Sequence, residues 1–316
     1  MKNFNINRRH FMKGASAALA LSTFGAYGLD LVNPNRPYRV ALIGTGWYGK
    51  SDLFRLMQVV PVEVVALCDP DRNQLTEAGK LVAARQKSRK TPKLYGDYRL
   101  LLKENEVDIA IVGSPDHWHA LQMIDAVKAG AHVYVQKPLT HDIYEARMLT
   151  EAAKKYKVVT QMGNQGASGD GVRKLKEWYE AGVIGEVNEV HCWTNRPVWP
   201  QGISWPTTSA AVPAELDWDL WLGSAPYREY VQKLVPFNWR GWWDYGTGAL
   251  GDMACHIMAP AFAVMGLGYP LSAQCSVATP YVRNWNKAYT PDSAPIASHI
   301  TLQFQGQPGK PNVTLH

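Results

Sequence analysis

A glycine-rich turn behind a short apolar run constrains the fold more than any other feature of the chain. Residues 40–43 (VALI) lead directly into Gly44, Gly46 and Gly49, which have the spacing G-x-G-x-x-G. This pattern predicts a buried strand, a tight turn and the first turn of a helix. Gly44 would permit the turn, Gly46 would let the backbone approach a pyrophosphate, and Gly49 would let helix and strand pack closely. Glycines also cluster in ordinary turns, but free N–H groups at a helix start attract an anion, so we predict a dinucleotide site.

A second apolar run gives the turn its context. Residues 62–67 are mostly apolar and end in Cys68 and Asp69, twenty residues after Gly49. An acidic residue at this position of a dinucleotide site hydrogen-bonds the adenosine ribose and repels a 2′-phosphate. We therefore predict NAD as the cofactor, while the nearby Arg72 leaves NADP as an alternative.

Strand and helix patterns alternate through residues 37–160. Apolar runs bounded by glycine or proline predict buried parallel strands, and helical patterns lie between them. Such alternation is typical of a doubly wound parallel sheet. The predicted strands include residues 108–112, 132–135 and 158–160, and the predicted helices cover 72–90, about 119–128 and 143–156.

The pattern changes from about residue 161. Period-two alternation, as in residues 300–304, is typical of an antiparallel sheet with one covered face. We therefore predict that residues 161–316 form a second α/β domain with a large, mostly antiparallel open sheet. A new alternating run begins at 313 and stops at 316, and from this we expect the sequence to be a fragment that lacks C-terminal residues.

The N-terminus has the pattern of an export signal. Arg8 and Arg9 precede a lysine and the weakly apolar residues 14–25, which are too few to span a membrane. Paired arginines indicate the twin-arginine type, so residues 1–30 predict export to the periplasm by the twin-arginine machinery. The alternative is a frayed basic N-terminus. Since that machinery moves folded proteins, an exported enzyme of this kind would need to keep its nucleotide tightly bound.

Charge and cysteine content exclude some classes of protein. The net charge is +6, and residues 1–29 carry +4 of it because they hold four basic and no acidic residues, which leaves about +2 elsewhere. That balance does not predict a nucleic-acid-binding surface. The four cysteines show neither C-x-x-C spacing nor a dense framework, so we expect them to be packing residues.

Three further motifs follow the glycine-rich turn in order: SPDHWH at 114–119, QKP at 136–138 and GDMACH at 251–256. With them the chain resembles the Gfo/Idh/MocA family of glucose–fructose oxidoreductase, inositol dehydrogenase and rhizopine catabolism proteins. The resemblance implies a Rossmann domain joined to an α/β domain whose open sheet often forms homo-oligomers. It also implies hydride transfer at a carbon of a sugar or cyclitol, or, in one branch, glycoside cleavage through transient oxidation.

The family's E-K-P lysine corresponds to Lys137, which the resemblance makes a catalytic acid/base or a group that orients the substrate. The residue itself follows a predicted parallel strand, at the edge where such sheets bind ligands. Gln136 departs from the family's usual glutamate, so the partner of the lysine is left open. The alternative is an ordinary surface lysine in a loop.

The family's D-x-x-x-H pair corresponds to Asp252 and His256. Residues four apart project from one helix face, so carboxylate and imidazole can address the same hydroxyl group. Histidine suits removal of an alcohol proton near neutral pH, and Asp252 would orient it. The alternatives are a surface ion pair, or a zinc site with His191 as third ligand. We predict no metal, because no spacing supports that third ligand.

The remaining candidates come from the resemblance and from turn chemistry. Residues 117–119 resemble the segment that lines the nicotinamide, although helix-entry packing explains them equally well. Asn164 could offer its amide to sugar hydroxyls, and Trp243 could stack on a sugar face, but turn and core roles are alternatives. A non-catalytic NAD- or sugar-binding protein is the competing function. The predicted cofactor-binding residues are Gly44, Gly46, Trp47, Tyr48, Gly49, Asp69, Ser114, His117, His119 and Lys137.

Overall fold

The computed structural model describes residues 36–316, and the predicted export signal at 1–30 lies outside them. Within the described residues the chain forms a six-stranded parallel sheet followed by a domain with a four-stranded mixed sheet. The predicted fold class, a doubly wound parallel sheet joined to a second α/β domain, is confirmed.

The first sheet has the strand order β3-β2-β1-β4-β5-β6, and every pairing is parallel. Both faces of its central strands are buried, because side chains alternate between two apolar clusters on opposite sides of the sheet. One cluster contains side chains of α1 and α2, and the other contains side chains of α3, α4 and α5. The strands are β1 (Tyr38–Ile43), β2 (Val62–Cys68), β3 (Lys93–Tyr95), β4 (Ile109–Val112), β5 (His132–Gln136) and β6 (Thr160–Gly163), and the helices are α1 (Trp47–Val59), α2 (Arg72–Arg85), α3 (Tyr98–Glu104), α4 (Asp116–Lys128) and α5 (Ile143–Tyr156).

Several element boundaries differ from the sequence-based predictions. Helix α2 ends at Arg85, because the backbone of Gln86 is extended. The Gln86 side chain accepts a hydrogen bond from Val64 N–H in the sheet (3.0 Å). The short edge strand β3, which was not among the predicted strands, follows that helix. Helix α4 begins at Asp116, directly behind Pro115, because proline tolerates a helix start. Strand β6 begins at Thr160, two residues after the predicted start at 158, and runs to Gly163.

The second sheet has the order β7-β10-β9-β8, in which β10 pairs parallel with β7 and antiparallel with β9. Its apolar side packs against helix α9, whose Phe262 ring lies edge-on to Phe304. Strand β8 is exposed along its whole length. The elements of this domain are α6 (Asp170–Glu180), β7 (Glu189–Val190), α7 (Trp218–Leu222), α8 (Gly248–Ile257), α9 (Ala259–Met265), β8 (Ser272–Ala278), β9 (Ala297–Phe304) and β10 (Val313–Leu315).

A tryptophan-rich cluster joins the two domains. Four of its tryptophans are buried around Tyr245 and form part of the hydrophobic core: Trp218, Trp221, Trp239 and Trp242. Across the domain boundary, the Trp118 indole of α4 donates to the Trp221 carbonyl of α7 (2.9 Å). The cluster therefore fixes α4 against the second domain.

Within the described residues, the stretch Gly248–Met265 is long and apolar enough to cross a membrane, with a mean hydropathy of 1.3. It consists of α8 and α9, and Ala261, Val264 and Met265 of α9 are buried in the core of the second domain. Since soluble core helices pass the same test of length and composition, we interpret α8 and α9 as a helix pair of that domain.

Candidate active site

The glycine-rich turn has the geometry that a nucleotide needs. Gly44 has φ +88°, and a Cβ there would lie 2.5 Å from the Gly113 backbone. A Cβ on Gly49 would lie 2.0 Å from the Gly44 carbonyl oxygen, so the close contact of α1 with β1 requires glycine. At Gly46, by contrast, nothing lies within 4 Å of an added Cβ. The turn therefore packs tightly on one side and leaves its backbone open on the other, where α1 begins.

Two predicted cofactor residues, Trp47 and Tyr48, begin helix α1 beside this open backbone. The Trp47 side chain is 74% exposed and lies edge-on to the Tyr48 ring, with 5.1 Å between the ring centres. The Tyr48 hydroxyl accepts a hydrogen bond from Gln165 of the turn after β6 (2.6 Å). The start of α1 is thus tied to the end of the first sheet.

Asp69 holds the glycine-rich turn in place. One carboxylate oxygen accepts hydrogen bonds from the Thr45 N–H (2.7 Å) and hydroxyl (3.1 Å), and the other accepts from Asp71 N–H (2.9 Å). Burial raises the pKa of Asp69 to about 6, although these hydrogen bonds oppose the shift. The predicted ribose ligand therefore also positions the turn, through Thr45, a residue that no spacing rule had singled out.

Lys137 lies at the carboxyl end of β5 and reaches the second domain. Its Nζ donates to Asp252 Oδ1 (2.7 Å) and to the Asp252 carbonyl (3.2 Å), and both side chains are largely buried. Gln136, in the position of the family's glutamate, points elsewhere and donates to Asp52. Asp252 from α8 therefore supplies the carboxylate partner that the sequence left open.

Two further charged residues surround this pair. Arg240 Nε lies 3.6 Å from Asp252 Oδ1, and its guanidinium stacks on the Trp239 ring at 4.4 Å. Asp116, at the start of α4, is buried and accepts a hydrogen bond from the Thr247 hydroxyl (3.3 Å). Burial raises the pKa of Asp116 to about 7, and the positive charges of Arg240 and Lys137 oppose that shift. Sequence analysis missed both residues.

His256 is one turn beyond Asp252 on α8. Its Nδ1 lies 3.0 Å from Asn164 Oδ1, and the Asn164 amide nitrogen donates to the Cys255 carbonyl. Because that bond fixes which end of the amide faces the ring, Asn164 accepts the Nδ1 proton and leaves Nε2 with a lone pair. Burial, reinforced by the charge of Lys137, lowers the pKa of His256. The imidazole is therefore held neutral, in the form of a proton acceptor.

The histidines of residues 117–119 are held by backbone carbonyl groups. His117 Nε2 lies 3.1 Å from the Trp221 carbonyl, and burial lowers the pKa of His117 to about 4. The His119 ring lies between the carbonyls of Ser114 (2.9 Å) and Pro138 (2.7 Å), and burial lowers its pKa to about 4 as well. The Ser114 hydroxyl donates to Gln122 (2.6 Å). These predicted cofactor residues thus join the ends of β4 and β5 to the second domain.

Trp243 lies apart from the charged residues. Its backbone N–H donates to the Asp292 carbonyl (2.9 Å), and its half-exposed side chain lines a cavity of about 240 Å³ with Thr279 and Pro291. In the described part of the chain, no hydrogen bond links it to Lys137 or His256. The predicted substrate-binding role of Trp243 stays a prediction.

The structure thus brings together the residues that the QKP and GDMACH motifs singled out. Lys137 and Asp252 form an ion pair at the carboxyl edge of the parallel sheet, which is also the edge that carries the glycine-rich turn. His256 lies one helical turn beyond Asp252, close enough for the charge of Lys137 to affect its pKa. Asn164 contacts His256 Nδ1, and its predicted role in substrate binding stays a prediction. A neutral imidazole next to a lysine ammonium group can remove and return a proton of a hydroxyl group.

Comparison with known protein families agrees with this arrangement. Residues 38–164 match the Gfo/Idh/MocA model described as "Oxidoreductase family, NAD-binding Rossmann fold". Residues 171–284 match the companion model described as "Oxidoreductase family, C-terminal alpha/beta domain". The two matches together cover most of the described residues.

Curated relatives include glycoside hydrolases. An alpha-N-acetylgalactosaminidase from Shewanella oneidensis is 29% identical over 174 residues, which cover 48% of this chain and 38% of the relative. A glycosyl hydrolase family 109 protein from Shewanella sp. strain W3-18-1 is 30% identical, again over 48% of this chain and 38% of the relative. The chain thus matches well under half the length of these relatives.

Solved structures share the fold at low sequence identity. The WlbA dehydrogenase from Bordetella pertussis, in complex with NADH and UDP-GlcNAcA, superimposes with a TM-score of 0.62 at 18% sequence identity. The superposition covers 89% of this chain and 66% of the WlbA chain. GenD2 from gentamicin A biosynthesis, in complex with NAD, superimposes with a TM-score of 0.61 at 16% sequence identity. The superposition covers 89% of this chain and 65% of the GenD2 chain.

Proposed function

The chain belongs to the Gfo/Idh/MocA oxidoreductase family, and we propose that it transfers a hydride between bound NAD and a secondary carbon of a sugar, cyclitol or glycoside. The observation that carries the proposal is the meeting of Lys137, Asp252 and His256 at the sheet edge that carries the glycine-rich turn. That edge is where doubly wound sheets bind nucleotides and their substrates.

The side chains suit the proton half of such a reaction. His256, neutral and with its Nε2 lone pair free, takes the hydroxyl proton as the carbon is oxidised. Lys137, ion-paired with Asp252, donates a hydrogen bond to the same oxygen and favours the build-up of negative charge on it. When bound, the nicotinamide ring supplies the hydride acceptor. For the reverse reaction the proton returns from His256.

The described residues fit a dinucleotide cofactor. The open backbone at Gly46, next to the start of α1, suits a pyrophosphate, and an acidic residue just after β2, Asp69, supports recognition of a ribose diol. The bound NADH and NAD of the structural neighbours give further support. We propose NAD over NADP because Asp69 would repel a 2′-phosphate. Titration of nucleotide-free protein with each cofactor tests this choice, and preferential binding of NADP would contradict it.

The reaction is tested by product analysis. Purified protein is incubated with a mixture of free sugars, cyclitols and glycosides while the absorbance of reduced cofactor is followed. We expect a keto product from at least one compound. His256→Ala and Lys137→Ala should each lower turnover by roughly 10²-fold or more while NAD stays bound. Wild-type turnover in both variants would contradict the mechanism.

The names of the curated relatives favour a second candidate, an NAD-dependent glycoside hydrolase. In that version oxidation acidifies a neighbouring C–H bond, elimination releases the aglycone, water adds to the double bond that elimination leaves, and the hydride then returns to the carbonyl carbon of the sugar. The same product analysis separates the candidates, since a hydrolase releases the aglycone without net cofactor reduction. An absence of turnover for every carbohydrate would favour a non-catalytic NAD- or sugar-binding protein.

We also propose twin-arginine export to the periplasm, supported by the Arg8-Arg9 pair and the short apolar run behind it. An exported protein of this kind has to retain its nucleotide, so we expect tight NAD binding. Cell fractionation tests export, with Arg8→Lys/Arg9→Lys as the variant that should remain in the cytoplasm. Denaturation of the exported protein should release nearly stoichiometric NAD, and an empty exported protein would contradict retention.

Self-association through the second sheet is a further part of the proposal. Strand β8 is exposed on both faces and forms an edge of the sheet, which supports a homo-oligomer. Sedimentation measurements on the purified protein test it, and a monomer at all concentrations would contradict it.

A further inference from the structure

One face of the second sheet is polar and carries three histidines. The pairing of β9 with β10 places Thr314 opposite Gln303, so His316 continues the ladder opposite Thr301. On its other side His316 neighbours His191, because His316 N–H donates to the Val190 carbonyl and Cys192 N–H donates to the His316 carbonyl (both 2.8 Å). Side chains alternate along a strand, so these residues share one face while Leu315 and Val190 point into the core.

Three side chains of this face converge. His191 Nε2 lies 3.0 Å and His316 Nε2 lies 3.4 Å from the same Glu189 oxygen. The two imidazole rings stack with 4.8 Å between centres and 12° between planes. One potential ligand atom from each of the three residues lies within 4.8 Å of the other two.

These separations match the shell of a bound metal ion. Bonds of 2.0–2.1 Å from a tetrahedral Zn²⁺ place neighbouring ligand atoms roughly 3.3 Å apart. The two measured separations from Glu189 bracket that value, and one imidazole ring would have to turn out of the stack for both Nε2 lone pairs to point at the same ion. Two imidazoles and one carboxylate form a common zinc ligand set that leaves one coordination position open.

A neighbouring residue orients one of the ligands. Thr301 Oγ1 lies 3.3 Å from His316 Nδ1, the ring nitrogen that faces away from Glu189. A hydroxyl that accepts the Nδ1 proton leaves the Nε2 lone pair directed at the cluster, as in most metal-binding histidines.

We propose that Glu189, His191 and His316 form a binding site for a transition-metal dication of the zinc class on the exposed face of the second sheet. The site is separate from Asp252 and His256, the pair first considered for zinc, because His191 bonds to Glu189 and not to them. It is also independent of the proposed hydride transfer.

Calorimetric titration tests the proposal. The full chain, purified without a histidine tag and stripped with EDTA, is titrated with ZnCl₂ in a Cys275→Ser background, because Cys275 is an exposed thiol that could bind zinc by itself. We expect one Zn²⁺ per chain with micromolar or tighter affinity, and visible absorption bands of four-coordinate Co²⁺ in a parallel titration. MgCl₂ should not bind, since Mg²⁺ prefers oxygen ligands.

Matched variants assign the ligands. His191→Ala and Glu189→Gln should each weaken zinc binding at least about tenfold while leaving the circular dichroism spectrum and NAD affinity unchanged. Glu186→Gln makes the same charge change at a nearby exposed position, and His299→Ala removes a ring that stacks on the far side of His316. Both controls should retain zinc. The proposal is overturned if wild type binds no zinc, or if His191→Ala and Glu189→Gln bind it like wild type.

Discussion

Asp116 and Arg240 extend the pair of Lys137 and Asp252 into a group of four charges that balance one another. Burial disfavours the charged form of two of these residues. It raises the pKa of Asp116 to about 7 and lowers the pKa of Arg240. Because an unpaired buried charge is costly, none of the four can be replaced without affecting the others. Near neutral pH the group can therefore gain or lose one proton at Asp116.

The raised pKa of Asp116 gives a prediction for stability. Between pH 4 and 7 the folded chain binds a proton at Asp116 that the unfolded chain has released, so Asp116 contributes a decrease in the free energy of unfolding as the pH rises. We expect Asp116→Asn to remove this decrease, which amounts to roughly 2–4 kcal/mol over that range. Urea unfolding at several pH values measures it. The exposed Asp219→Asn should keep the wild-type slope, and an unchanged slope in Asp116→Asn would refute the argument.

The contact between Asn164 and His256 gives a second prediction. Asn164→Asp places a carboxylate at His256 Nδ1, which stabilises the imidazolium and should raise the pKa of His256 by about 1–3 units. An NMR titration of the His256 ring measures the change without a substrate. Gln165→Glu makes the same charge change at the next residue, whose side chain bonds to Tyr48, and should leave His256 unaffected. Equal pKa shifts in the two variants would show that the contact between residue 164 and His256 Nδ1 does not cause the change.

Sequence patterns could link some site residues and not others. Lys137, Asp252 and His256 were singled out because the QKP and GDMACH motifs resemble those of the family, and the strand end and the shared helix face are consistent with that assignment. Asp116, Arg240 and Thr45 could not be singled out in this way, because their partners lie in other elements and no spacing connects them. Asn164 was named from the sequence as a substrate-binding residue, but its contact with His256 was not predicted because the two residues are 92 positions apart.

At the scale of elements, the strand–turn–helix unit β1–α1 combines a packing requirement with a binding requirement. Gly49→Ala would place its Cβ 2.0 Å from the Gly44 carbonyl oxygen, so we expect α1 to move and stability to fall by about 2 kcal/mol or more. Gly46→Ala meets nothing within 4 Å, so stability should stay within about 0.5 kcal/mol while NAD binds more weakly. Thermal unfolding with and without NAD separates the two effects. A stable Gly49→Ala protein would contradict the packing argument.

Long periodic elements were predictable and short ones were not. Helix α5 has the predicted bounds, Ile143–Tyr156, because a clear apolar face and the Asp142 cap determine it locally. Strand β3 has three residues and is held by its pairing with β2, which no pattern within the segment reveals. Helix α2 is shortened by the contact of Gln86 with the sheet, again a long-range effect.

At the scale of the whole molecule, the domain boundary depends on a contact between Gly223 and Trp118. A Cβ on Gly223, which has φ +57°, would lie 2.0 Å from the Trp118 ring, so Gly223→Ala should push α4 and α7 apart. We expect lower stability and weaker binding of any substrate that both domains contact. Gly182→Ala is the matched control, since Gly182 also has positive φ but no neighbour within 4 Å. Equal losses of stability by thermal unfolding would show that backbone strain alone is responsible.

The central position of β10 has a consequence for the order in which the chain folds during synthesis. All strands of the first sheet are complete at Gly163, whereas the second sheet cannot form its β7–β10–β9 centre until residue 315 has been made. At 5–20 residues per second the ribosome needs roughly 10–30 s for the intervening stretch. A nascent chain therefore has time to fold its nucleotide-binding domain, and to take up NAD, before the second domain, which supplies Asp252 and His256, has completed its core.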